Sequence, residues 1–87
     1  MLEPVFSPRF LAALRPHLTL LQQDATIRPD LDLAAAGLDS LAMVALLVDL
    51  EGEFQVTIPD AKLSWDTFRT PQALWATIEE LMPVADD

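Results

Sequence analysis

An 87-residue chain excludes two independent cores, because a domain of this size buries only about 60–65% of the surface that its unfolded form exposes. It is 52% hydrophobic yet carries 14 acidic against 5 basic side chains, and the net charge of −9 argues against nucleic acid and anionic membrane as partners. Cysteine is absent, so disulfides, thiolate metal sites and a cysteine nucleophile are excluded, and any thiol chemistry has to be borrowed.

The N-terminal run MLEPVFSPRF has no basic region leading into an apolar one, and the longest apolar run, Leu41 to Val48, is far short of a bilayer span. A soluble, cytoplasmic, free-standing monomer is expected. Residues 1–87 read as one domain, with a helical core over about 8–82 and a flexible tail at 83–87. Ser7-Pro8 starts the first helix: the serine accepts from free amides and proline fits the first turn. Leu11, Leu14, Leu18 and Leu21 keep one face over residues 8–22, so Pro16 is expected to kink this helix rather than end it.

Residues 24–38, with Pro29 and Gly37, suit a long loop pinned by Ile27, Leu31 and Leu33. Asp39 caps a second helix that begins near Ser40 and ends near Gly52 to Phe54. The segment QVTI at 55–58 is strand-like but has no pairing partner in so short a chain. A short third helix follows Pro59, and Thr70-Pro71 opens a final helix carrying Leu74, Ile78 and Leu81. The expected fold is all-α, a small four-helix bundle with a short third helix and a long loop between the first two.

The second helix is apolar on two sides. Met43, Leu46, Leu47, Leu50 and Phe54 form the expected core stripe, while Leu41, Val44, Ala45 and Val48 lie nearly opposite. A surface helix of a small bundle does not bury both, so the second stripe is expected to face solvent or a partner. Ser40 stands at the entrance of this helix, where free amides and the positive dipole end stabilise a phosphate, and Gly37 lets the backbone turn and leaves the hydroxyl accessible.

The run Leu33-Ala-Ala-Ala-Gly37-Leu38-Asp39-Ser40-Leu41, followed by LVDLEGEFQVTIPD at 47–60, resembles the signature of acyl and peptidyl carrier proteins. The likeness spans nearly the whole chain. It implies a non-catalytic carrier in which Ser40 bears a 4′-phosphopantetheine arm, delivered from coenzyme A by a phosphopantetheinyl transferase. The arm's thiol would hold acyl or aminoacyl groups as thioesters, which fits a chain without cysteine. Implied partners are a loading ligase or acyltransferase and a downstream ketosynthase or condensation enzyme of polyketide or nonribosomal peptide synthesis. Asp39, Leu41, Val44, Val48, Glu51 and Asp60 match family positions used for docking. Ala42, Ala45 and Gly52 stand where fatty-acid carriers often place acids, which points to apolar pockets with a few basic contacts. The stretch Ser64-Trp65-Asp66-Thr67-Phe68-Arg69-Thr70-Pro71 is longer and more aromatic than in those carriers and resembles stand-alone carriers that accept amino acids or β-amino acids in secondary metabolism. Trp65, Phe68 and Trp75 are expected as core or loop anchors.

Two other readings are weighed against this one. A hydrolase would need the only histidine, His17, beside Ser40, and nothing in the sequence brings them together; His17 is expected as a surface residue. A helical docking or adaptor module would use the same two-faced helix and need no serine chemistry. Asp30 with Asp32, or Glu51 with Glu53, lack the pattern of a calcium loop.

Overall fold

The computed structural model describes residues 6–22 and 24–82. They form three α-helices, α1 (Pro8–Leu14), α2 (Ser40–Phe54) and α3 (Pro71–Leu81), with single 3₁₀ turns at Arg15–His17 and Asp60–Lys62. No strand occurs among the described residues. No helix there is long and apolar enough to cross a membrane. The tail expected at 83–87 lies outside the described residues.

Each helix begins where a short polar side chain meets the first free amides. Ser7 Oγ accepts from Arg9 N–H at 3.1 Å, Asp39 Oδ1 from Ala42 N–H at 2.8 Å, and Thr70 Oγ1 from Ala73 N–H at 3.2 Å. Pro8 and Pro71 occupy the first turns, where a missing N–H removes no intrahelical bond. α2 ends on Gln55, which takes the left-handed conformation at φ 57°.

Two expectations about helix extent are corrected. The first helix does not run to residue 22, because Pro16 offers no N–H to the Ala12 carbonyl and the chain tightens into a 3₁₀ turn that it leaves at Leu18. Leu18 nonetheless stays buried and Leu21 packs partly against the core, so the leucines keep their direction while the helix does not. The expected short third helix is one 3₁₀ turn. Lys62 and Leu63 donate to the carbonyls of Pro59 and Asp60, and the chain then turns again at Ser64, whose carbonyl accepts from Thr67 and Phe68. The described helix count is therefore three.

The loop between α1 and α2 is held at several points. Ile27 and Leu33 are buried and Leu31 packs partly against them. Leu33 N–H donates to the Arg69 carbonyl at 3.0 Å, and the Pro29 carbonyl accepts from Gln72 N–H at 3.1 Å, which joins the loop to the start of α3. Asp32 Oδ1 accepts from Ala34 and Ala35 N–H at 3.1 and 3.3 Å, and Leu38 N–H closes the following turn on the Leu33 carbonyl at 2.9 Å.

Phe10, Leu14, Leu33, Leu46, Leu50, Phe68, Leu74 and Ile78 are wholly shielded from solvent and form one core with Trp75. The Trp75 ring lies 4.9 Å from Phe10 and 5.6 Å, edge-on, from Phe54. Polar contacts fasten α1 to α2 along one flank. Arg9 Nε meets Glu53 Oε2 at 2.6 Å, its Nη2 donates to the Glu53 carbonyl, and its guanidinium lies 5.1 Å from the Phe54 ring centre.

Candidate modification site and docking face

Ser40 is the first residue of α2 and is exposed. Its position follows from the turn before it. Gly37 sits at φ +112°, a conformation that favours glycine, and the turn is seated on residues 19 and 20 by the Leu20 N–H to Ala36 carbonyl bond of 2.9 Å. Leu38 is buried just after it, which anchors the chain and leaves Asp39 and Ser40 on the outside.

Asp39 satisfies Ala42 N–H through its side chain and Met43 N–H through its carbonyl. The amides of Ser40 and Leu41 have no partner among the described residues, nor does the Ser40 hydroxyl. An exposed hydroxyl with two open amides at the positive end of a 15-residue helix fits a phosphodiester: Ser40 would supply the ester oxygen, and the Ser40 and Leu41 amides would be donors for the remaining oxygens.

The two stripes of α2 separate as expected. Leu46 and Leu50 are wholly buried, and Met43, Leu47 and Phe54 pack partly against the core. On the far side Leu41 is 83% exposed, Val44 55% and Val48 61%, at i, i+3 and i+7 leading away from Ser40. Asp39 and Asp60 are exposed and enter no ion pair among the described residues. Arg9, Arg28, Lys62 and Arg69 are each paired with an acid of this chain, to Glu53, Asp30, Glu80 and Asp66 respectively.

Glu51 behaves differently from the other expected docking residues. It is half-buried, and its Oε2 accepts from Ile58 N–H at 2.7 Å, so its carboxylate braces the segment that leaves α2. Two features escaped the sequence reading. His17 is no free surface residue, since its Nε2 meets Asp49 Oδ2 at 2.6 Å on the flank of α2. Trp65, expected as an anchor, is 44% exposed, whereas Phe68 and Trp75 are buried as expected. The polar neighbours Ser64 and Asp66 were the available signal that Trp65 faces outward.

Comparison with known proteins adds a family. A family model described as a phosphopantetheine attachment site matches residues 18–78. The chain is 34% identical over 65 residues to a D-alanyl carrier protein of Leuconostoc citreum, covering 74% of this chain and 83% of that one. It is 30% identical over 66 residues to aminoacyl carrier protein 2 of Bradyrhizobium diazoefficiens, covering 76% and 74%. The fold is also similar, at a TM-score of 0.73 and 31% identity, to a chain in the crystal structure of an engineered Bradyrhizobium japonicum glycine:[carrier protein] ligase complexed with carrier protein from Agrobacterium tumefaciens and AMP. That match covers 82% of this chain and 95% of the other.

Proposed function

The chain belongs to the phosphopantetheine-attachment family of carrier proteins, and from that membership we propose that Ser40 bears the arm and that its cargo is a small amino acid. Domains of this family carry a covalently attached 4′-phosphopantetheine and are not themselves catalysts. When bound, the group supplies a thiol that holds the aminoacyl carbon as a thioester. The single observation that carries the assignment to Ser40 is its exposed hydroxyl beside the open amides of Ser40 and Leu41.

In the modification step the Ser40 oxygen bonds to the β-phosphorus of coenzyme A and loses its proton, while the bond to the departing 3′,5′-ADP breaks. The new phosphodiester keeps one negative charge, and the α2 dipole offsets it. Asp39 leaves those amides open because it caps the next ones along, Ala42 and Met43.

The aminoacyl cargo is supported by the names of the similar proteins, a D-alanyl and an aminoacyl carrier, and a ligase partner by the glycine ligase complex. The exposed Leu41, Val44 and Val48 form the face that such a ligase reads, with Asp39 and Asp60 meeting a few basic contacts. The loaded amino acid then passes to a downstream enzyme, for which a condensation enzyme or ketosynthase of nonribosomal peptide or polyketide synthesis is our proposal.

Intact-mass measurement tests the attachment. Incubation with coenzyme A and a broad-specificity phosphopantetheinyl transferase should add one phosphopantetheine to the protein and none to Ser40→Ala. An unmodified parent protein would overturn the reading and favour an adaptor module. A ligase supplied with ATP and glycine or alanine should then add one aminoacyl group to the holo form only.

A further inference from the structure

We propose that the cleft between Asp32 and Trp65 receives the aminoacyl end of the arm, with Asp32 and the indole face engaging the cargo's free ammonium; this rests on the aminoacyl reading of Ser40 above. The cleft has a volume of about 290 Å³ and is lined by Asp32, Ala34, Trp65, Phe68 and Arg69. Its two walls belong to different parts of the chain, held together by the Leu33 N–H to Arg69 carbonyl bond.

Three observations converge on a small cationic end group. Trp65 is the sole exposed aromatic residue among those described, and it borders this cleft rather than filling the core. An indole face is the best aromatic partner for an ammonium. Asp32 uses Oδ1 to cap the turn at Ala34 and Ala35, while its Oδ2 has no partner among the described residues. Arg69, the one cation on the lining, is paired with Asp66 at 3.3 Å, which offsets its repulsion of a cationic guest.

Reach is satisfied by connectivity. The Leu38 to Leu33 hydrogen bond brings those residues together, Ser40 lies two residues beyond one end and Asp32 one residue before the other. Summing bond lengths and Cα steps limits the Ser40 to Asp32 separation to no more than about 18 Å. An extended pantetheine chain, with its pantoate and two amide-linked segments, covers a comparable distance. Because the ligand is tethered, even a weak contact is well populated. Docking there removes no polar group from Ser40 and covers the thioester between visits to enzymes.

The experiment loads Ser40 directly from glycyl- or propionyl-coenzyme A with a phosphopantetheinyl transferase, at mildly acidic pH where the α-ammonium is charged. Propionyl has the shape of glycyl without its charge. Glycyl loading should shift the Trp65 indole N–H resonance, assigned with Trp65→Phe, and propionyl loading should not. Thioester cleavage by hydroxylamine should be about two- to fivefold faster in Asp32→Asn and in Trp65→Ala than in the parent for glycyl, and equal in all three for propionyl. Asn keeps the acceptor that caps Ala34 and Ala35, so Asp32→Asn removes the charge and not the turn. A confirmed glycyl mass gain with an unmoved indole and equal cleavage rates overturns the cleft proposal alone. Absence of any mass gain overturns the attachment at Ser40, and the cleft proposal with it.

Discussion

His17 Nε2 lies 2.6 Å from Asp49 Oδ2, and its side chain is only 15% exposed, so the chain's one histidine is held against the flank of α2. Asp49 is nine residues along the helix from Ser40, a rise of about 13 Å. No Ser-His pair can form over that span, which removes the geometry a serine hydrolase needs. Removing the imidazole should therefore touch stability and not chemistry. His17→Ala is expected to lower unfolding free energy by about 0.5–1 kcal/mol in a urea titration, since Asp49 is half in water. The same variant should gain phosphopantetheine at the parent rate by intact mass.

Gly37 carries the turn that delivers Ser40. A Cβ built there would stand 2.7 Å from Thr19 Oγ1 and 2.8 Å from the backbone nitrogens of both Thr19 and Leu20, in a left-handed conformation at φ +112°. The hydroxyl can rotate away but the two backbone atoms cannot. Gly37→Ala should cost about 2–4 kcal/mol, strain and close contact together, read as a lowered urea midpoint. Because the displaced segment leads straight into Asp39 and Ser40, the folded fraction of this variant should also be modified more slowly by the transferase.

The parts of this fold that were legible in the sequence are those decided within a few residues. Ser7-Pro8, Asp39-Ser40 and Thr70-Pro71 mark helix starts because each cap acts on the nearest amides, as all three do here, with a proline in the first turn of two of them. The two stripes of α2 were legible for a similar reason, as 3.6-residue periodicity alone separates Leu46 and Leu50 from Leu41, Val44 and Val48. What was not legible depends on distant contacts. Leucines at helical spacing across Pro16 suggested a continuous helix, yet Leu18 reaches the core equally well from the residue that follows a 3₁₀ turn. Nothing near His17 or Glu51 points to Asp49 or to the Ile58 amide, which the fold brings to them from 32 and 7 residues away.

Glu51 separates bracing from docking. Its Oε2 holds the Ile58 amide at 2.7 Å in a partly buried place, and Ile58 itself is buried beside the turn that carries Asp60. Glu51→Ala leaves that amide without its acceptor and should cost about 1–2 kcal/mol by urea titration. Glu51→Gln retains an acceptor and should stay within about 0.5 kcal/mol of the parent. Ligase loading by the Gln variant should match the parent if the carboxylate acts through the fold. A loading defect in Glu51→Gln at unchanged stability would instead make this charge a contact with the ligase.

The exposed ridge of α2 gives the sharpest contrast between surface and core. Leu41 at 83% exposure and Val44 at 55% contribute little to the fold, so Leu41→Ala and Val44→Ala should leave stability within about 0.5 kcal/mol. Leu46, on the opposite face of α2 and wholly buried, is the contrary case, and Leu46→Ala should cost about 2–5 kcal/mol. If the ridge is what an aminoacyl ligase reads, each ridge variant should raise the KM for the holo carrier about five- to tenfold with kcat little changed, as expected when binding is lost equally in ground and transition states. Adding salt should weaken loading of the parent and the ridge variants alike, because the acidic contacts proposed at Asp39 and Asp60 are untouched by these substitutions. Equal KM values for the parent, Leu41→Ala and Val44→Ala would show that the ligase docks elsewhere on the molecule.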